Sequence, residues 1–420
     1  MVVRDVRGGA TLRRVSAPTP TPTPAPGRTR LPHLTAVLRG GDEDRVTPLE
    51  LFFDLVFVLA LSQCTTLMYH DPTWLGVLHG LLALGVLWWA WVGYSWLTSV
   101  VDPEEGSAQL AMFVAMAGFL VAALCVPLAF GREALLFACA YAVVRVAHVA
   151  LFFVASRDDP GLRRSIIRLG LATAVGVGLL IAAALASGTG RTLLWVAALA
   201  LDMGGVFVIE PSGWRLVPAH FAERHGAVLL IALGESVVAV AVASEVRIGT
   251  GVVVASVLGF VVIAALWWLY FDVVALVAAR RLGHAAEGRE RNALARDSFS
   301  FLHLPMVAGI DLFALGLKET LSDVDHRLAI VPAVALVAGP AIYLLAHVAF
   351  RWRNVHRFSG QRVLAALACL ALIPASRAIS ALATLALLAA ILLVLVTYER
   401  LRFAELRARL RAAPAAPAPA

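Results

Sequence analysis

Apolar residues come in long blocks along this chain, with polar residues gathered in short stretches between them. Twelve such runs are marked, at about 48–69, 73–99, 107–129, 132–155, 165–186, 192–210, 226–244, 248–277, 297–317, 328–349, 361–378 and 380–398. A helix of about 20 apolar residues spans the hydrocarbon core of a bilayer. A helix also satisfies its own backbone hydrogen bonds, which lipid cannot do for it. The pattern therefore predicts an all-α integral membrane protein with about twelve transmembrane helices. Connections of roughly ten residues between spans of that length leave no room for a soluble domain.

Two low-complexity segments flank the runs. Residues 1–46 include APTPTPTPAP at positions 17–26. Alternating Pro and Thr cannot form a helix interior, so a disordered, Pro/Thr/Arg-rich cytoplasmic tail is expected. It lacks the apolar core of a signal peptide. Residues 399–420 end in AAPAAPAPA and read as a second, Ala/Pro/Arg-rich tail.

Composition sharpens this. The AVILMFWYC fraction is 60% and the charged fraction 15%, against about 45–50% and about 25% for soluble domains. A soluble fold cannot bury that much apolar surface and keep a wettable exterior. The lipid bilayer is the first expected partner, and a secreted disulfide scaffold or a disordered chain is excluded. The net charge of +7 is spread between the runs rather than gathered in one patch, so no nucleic acid is expected. If the N-terminus is cytoplasmic, 28 basic residues fall in cytoplasmic segments and 6 outside. That asymmetry follows the positive-inside rule and places both termini in the cytoplasm, with the chain in the cell membrane.

Short matches recur in order between the halves. LALSQ (Leu59–Gln63) in the first run answers IALGE (Ile231–Glu235) in the seventh. WWAW (Trp88–Trp91) in the second answers WWLY (Trp267–Tyr270) in the eighth, and AHVA in the fourth (Ala147–Ala150) returns in the tenth (Ala346–Ala349). A shift of six spans preserves orientation, so two parallel six-helix repeats are expected, over 47–210 and 211–398.

Ionisable side chains in hydrocarbon cost about 2.5 kcal/mol or more and usually face the bundle interior. Glu50 and Asp54 lie four apart, on one face of the first helix. Thr47, Pro48 and an acid also make an ordinary helix start, which accounts for Glu50 better than for the deeper Asp54. Asp54 is expected to face the interior beside the seventh run, near Glu223 or Glu235. Glu223, Arg224 and His225 read as a helix start near the interface, with Glu235 three turns further in. Asp272 closes WWLYFD, where Trp and Tyr suit an interfacial belt with the acid near water. These five acids, Glu50, Asp54, Glu223, Glu235 and Asp272, are the candidate path residues. Arg145 stands in mid-span with His148 on the same face. It needs a carboxylate, and Asp54, Asp202, Glu235 and Asp311 are the candidates. His347, the counterpart of His148, completes the set of candidate buried charge and hydrogen-bond partners.

Motifs for chemistry are missing. Cys64, Cys125, Cys139 and Cys369 form no CxxC pair, and no HExxH, GxSxG or GxxxxGK[ST] occurs. No metal, cofactor or catalytic residue is expected, and the chain is not read as an enzyme.

The run RVTPLELFFDLVFVLALSQ, with WWAWVGYSWLTSVVD, ERHGAVLLIALGES and WWLYFD, resembles the bacterial low temperature requirement A family over about residues 45–398. The resemblance implies a multi-pass membrane protein linked to growth in the cold. A fainter likeness joins Phe52, Phe53 and Asp54 to the Phe-Ser-Asp signature of organellar and bacterial potassium channels, which also have six-helix repeats. Here Phe53 replaces the serine, Pro48 replaces an arginine, and the matching position of the seventh run carries no acid. Repeat, short connections and intramembrane acids together point to a transporter or ion-permeation protein with an acid-lined path for a small ion or solute. A non-transporting scaffold or cold-adaptation factor and a membrane-embedded lipid-acting enzyme are the alternatives, and association into a homo-oligomer stays open. Reporter fusions after Arg168 and Arg296 should read cytoplasmic and one after Arg247 external; an external reading at Arg168 with a cytoplasmic N-terminus breaks the span count.

Overall fold

A computed structural model describes residues 46–104, 106–208, 214–243 and 249–412. The tail read over residues 1–46 falls almost wholly outside them, as does the terminal Ala/Pro stretch. The described residues form helices and no strand. The first six are α1 (Pro48–His70), α2 (Trp74–Thr98), α3 (Gly106–Cys125), α4 (Ala134–Ala155), α5 (Pro160–Leu185) and α6 (Gly188–Val208). Then come α7 (Pro218–Ala243), α8 (Thr250–Phe271), α9 (Val274–His284), α10 (Arg289–Leu294) and α11 (His303–Ser322). The last are α12 (Ile330–Val355), α13 (Gly360–Ser376), α14 (Ala381–Arg402) and α15 (Ala404–Ala412).

Each apolar run overlaps one of these helices. Among the described residues ten helical segments are long and apolar enough to cross a membrane. The helices of the other two runs differ: α13 has only 17 residues, and α7 carries Glu223, Arg224 and Glu235. Residues 399–402, read as tail, still belong to α14, and α15 follows at once.

Polar caps set several starts. Thr73 and Ser380 accept from the amides of Gly76 and Ala383. Asp159 accepts from Gly161 and Leu162, with Pro160 in the first turn. These side chains satisfy amides that have no partner within the helix. The start at Pro160 lies five residues before the expected run, because Arg163, Arg164 and Arg168 hide the helix from a hydropathy reading.

Large apolar side chains face outward while several charges are buried. Val146 is 66% exposed and Leu364 69%, whereas Arg145 and Arg362 are buried. A water-soluble protein does not present such a surface; lipid-facing helices do.

Helix neighbours follow the same order in both halves. α1 packs on α2 and α3, α3 on α4, α4 on α5, α5 on α6, and α2 on α4 and α6. α7 packs on α8 and α11, α11 on α12, α12 on α13, α13 on α14, and α8 on α12 and α14. The halves meet where α1 and α2 touch α7 and α11.

One bend in this plan carries hydrogen bonds of its own. Between α10 and α11 the chain widens into a π-helical turn, Ala295–Phe301. There the carbonyl of Ser300 accepts from Trp88 Nε1 at 2.9 Å and its hydroxyl from Trp96 Nε1 at 3.1 Å. Two indoles of α2 are thereby tied to the second half.

α11 and α12 cross at close range. A Cβ built on Gly309 would stand 2.6 Å from the Gly339 carbonyl oxygen, and one on Gly316 would stand 2.5 Å from Leu336 Cα. Small residues let helix backbones approach in lipid, where packing replaces the hydrophobic drive. Gly316→Ala should therefore overpack the crossing by about 1–3 kcal/mol. A thermal melt of the detergent-solubilised variant should show a lower midpoint; an unchanged midpoint would mean that the two helices part freely.

Candidate functional site

The start of α1 is built from a capping box. Thr47 Oγ1 accepts from the Glu50 amide at 3.3 Å, and Glu50 Oε2 accepts from the Thr47 amide at 3.0 Å. Pro48 takes the first turn, where no amide donor is needed. Glu50 is thus a capping residue, as an ordinary helix start requires. It is also fully buried, as is Asp54 one turn later.

The countercharge comes from α7. Arg224 donates from Nη1 to Glu50 Oε1 at 3.2 Å and from Nη2 to Asp54 Oδ1 at 3.1 Å. Nη1 also reaches the Thr98 hydroxyl and the Tyr94 carbonyl of α2. The guanidinium lies 5.5 Å from the Phe53 ring centre and 5.6 Å from that of Trp91, close enough for cation–π attraction. Trp91 Nε1 donates to Asp54 Oδ1 at 2.8 Å. His220, one turn before Arg224, places Nε2 2.9 Å from Glu50 Oε2. A carboxylate only accepts, so that nitrogen carries a proton. Asp54 Oδ2 has no hydrogen-bond partner among the described residues.

Aromatic and histidine rings continue the cluster. His225 lies 5.0 Å from Trp91 and 5.4 Å from His303 by ring centres. His303 Nδ1 faces the Ser298 carbonyl at 3.2 Å and so donates there. Its Nε2 then accepts from the Tyr270 hydroxyl at 2.8 Å. Tyr270 is buried while Trp267 of the same motif is exposed.

Two further charge pairs are sealed within the halves. Arg145 pairs with Asp202 Oδ1 at 3.0 Å and donates to Thr173 at 2.6 Å, while the Tyr141 hydroxyl donates to Asp202 Oδ2 at 3.3 Å. His148 lines a cavity with Trp89, Trp96 and Arg145. Its ring lies 2.9 Å from where a Cβ on Gly93 would stand. In the second half Arg362 pairs with Glu399 at 2.8 Å and donates to His347 Nδ1 at 2.9 Å.

Several expectations need correction. Glu223 is exposed; the helix turns its neighbour Arg224 inward instead. Asp54 faces α7, but Arg224 meets it rather than Glu223 or Glu235. Besides Arg145, Arg224 and Arg362 are buried. Both lie near helix starts, where a charge count assigns them to loops. Asp272 stands at the end of α8, 3.7 Å from Arg407 of α15. Glu235 is buried on α7, beside Ser62 of α1. Asp311 is buried on α11. The short sequence match held a signal for Arg224: aligning LALSQ with IALGE puts it between the positions that match Glu50 and Asp54.

Among the described residues no group of three His, Cys, Asp or Glu side chains is arranged to hold a metal ion. The family profile of bacterial low temperature requirement A protein (LtrA) matches residues 45–397. The chain belongs to the LtrA family. A protein of Rhizobium meliloti (strain 1021), itself uncharacterized, is 29% identical over 317 residues, covering 72% of this chain and 76% of the relative. The match to LtrA begins at Arg45, just before the capping box, and so includes the whole buried cluster.

Removing the shared base tests that cluster. Arg224→Ala strands two buried carboxylates and should cost about 3–5 kcal/mol, read as a lower melting midpoint in detergent. Adding Glu50→Gln and Asp54→Asn should recover much of the loss. No recovery would mean that Arg224 acts through packing alone.

Proposed function

We propose that this LtrA-family protein is a transporter or ion-permeation protein of the cell membrane, with its path along the seam of α1, α7 and α11. The observation that carries this reading is the placement of its acids. Glu50 and Asp54 lie at one end of the seam with His220 and Arg224, Asp311 lies within it, and Glu235 lies further along α7. A bilayer protein has no packing need for carboxylates at several depths of one helix interface.

The parallel neighbour order of the two halves supports a plan of twelve crossings in two six-helix repeats of equal orientation. Such repeats meet at a shared axis along the membrane normal in known transporter plans, and here α1 and α7 are in contact. The basic asymmetry supports cytoplasmic ends for both termini. On this reading the partner is a small ion or solute, and no catalytic role falls to any residue.

A second reading, a scaffold without flux, draws on the sealed pairs Arg145–Asp202 and Arg362–Glu399, which do what structural ion pairs do. A flux assay in proteoliposomes across cations, anions and small metabolites separates the two. Asp54→Asn keeps the shape and removes one charge from the Arg224 cluster. It should abolish flux, or the support of growth in the cold, at normal membrane abundance. Full activity in that variant returns Asp54 to a helix-start role and favours the scaffold.

A further inference from the structure

The seam holds a second polar level that the Arg224 cluster does not use. Cys64 and Thr65 follow Asp54 on α1, and Glu235 and Ser236 follow Arg224 on α7. At 1.5 Å per residue these four lie about 15–18 Å further along their helices. Asp311 of α11 is at the same depth, since it is in electrostatic range of both Cys64 and Glu235. Cys64 and Glu235 thus place α1 and α7 beside it.

Asp311 is 1% exposed, and neither carboxylate oxygen has a hydrogen-bond partner among the described residues. Thr65 Oγ1 and Ser236 Oγ are also buried and without a partner there. Other buried carboxylates are provided for. Glu50, Asp54, Asp202 and Glu399 face arginines. Glu235 lies beside Ser62 and in range of Lys318. The Lys318 ammonium is held over the Tyr69 ring at 3.9 Å, two turns beyond Asp311. It therefore serves the end of the seam and leaves Asp311 without a base.

A buried carboxylate requires a positive charge or a proton. Carboxylate and hydroxyl oxygens suit hard cations, and one negative charge balances one positive. We propose that Asp311, with the hydroxyls of Thr65 and Ser236, binds one small monovalent cation, sodium or a proton. That this ion is the one moved along the seam rests on the transport reading above; the site itself does not.

Dicyclohexylcarbodiimide, which modifies protonated carboxyls in apolar surroundings, tests the site in the full-length wild-type protein. Peptide mass spectrometry should find modification at Asp311. Modification should fall several-fold when sodium replaces choline at fixed pH, which assigns sodium, or only when pH rises, which assigns the proton. Thr65→Val and Ser236→Ala should weaken that protection while Asp311 still reacts. No modification at Asp311, or modification that neither sodium nor pH changes, overturns the site. Flux separates this result from the transport reading. Ion-sensitive labelling without flux of any tested solute keeps the site and removes the transport reading. Flux that persists in Asp311→Asn with wild-type ion dependence keeps transport and removes Asp311 from it.

Discussion

One buried guanidinium ties α7 of the second half to both α1 and α2 of the first. Arg224 comes from α7, its two carboxylate partners from α1, and its remaining acceptors from α2. In a water-excluded interior each of these groups is costly alone and satisfied only in company. The geometry therefore sets more than one contact. With His220 and Arg224 turned toward α1, the helical period sends Glu223 outward and brings Glu235 onto the same seam three turns on. The rotation of α7, and with it the composition of the seam, follows from where one charge has to go.

The other buried ions repeat the solution on a smaller scale. Arg145 is closed off by Asp202, Thr173 and Tyr141 within α4, α5 and α6. Arg362 is closed off by Glu399, His347 and the Leu269 carbonyl. Each set sits inside one half, where a complete set of partners makes a rigid joint. Asp311 differs because its nearest ionisable neighbours are acidic or weakly polar. That contrast separates groups that hold helices together from a group with capacity left to bind.

Aromatic residues complete the enclosure of the Arg224 cluster. Phe53, Phe57, Trp88 and Trp91 are all fully buried, and their bulk excludes water from the ion pairs. The π-helical turn before α11 is part of this arrangement. It directs the Ser300 carbonyl to Trp88, which would otherwise bury an indole N–H without an acceptor.

Much of the fold was legible in the chain alone. Long apolar runs must become helices in lipid, because no other local structure satisfies the backbone there; each run meets a helix, and Thr47 with Pro48 marks where the first one starts. The motifs around Glu50 and Asp54 also pointed to the family. What sequence could not decide was partnership. Arg145 had four candidate acids, and only the packing of α4 against α5 and of α5 against α6 selected Asp202. Glu223 and Arg224 are adjacent, and hydropathy cannot tell which of two neighbouring charges turns inward. Burial of a charge depends on groups brought from helices more than a hundred residues away, as Arg224 is to Glu50. Spans are local consequences of hydrophobicity, whereas charge pairing is a property of the assembled bundle, and only the tertiary structure settles it.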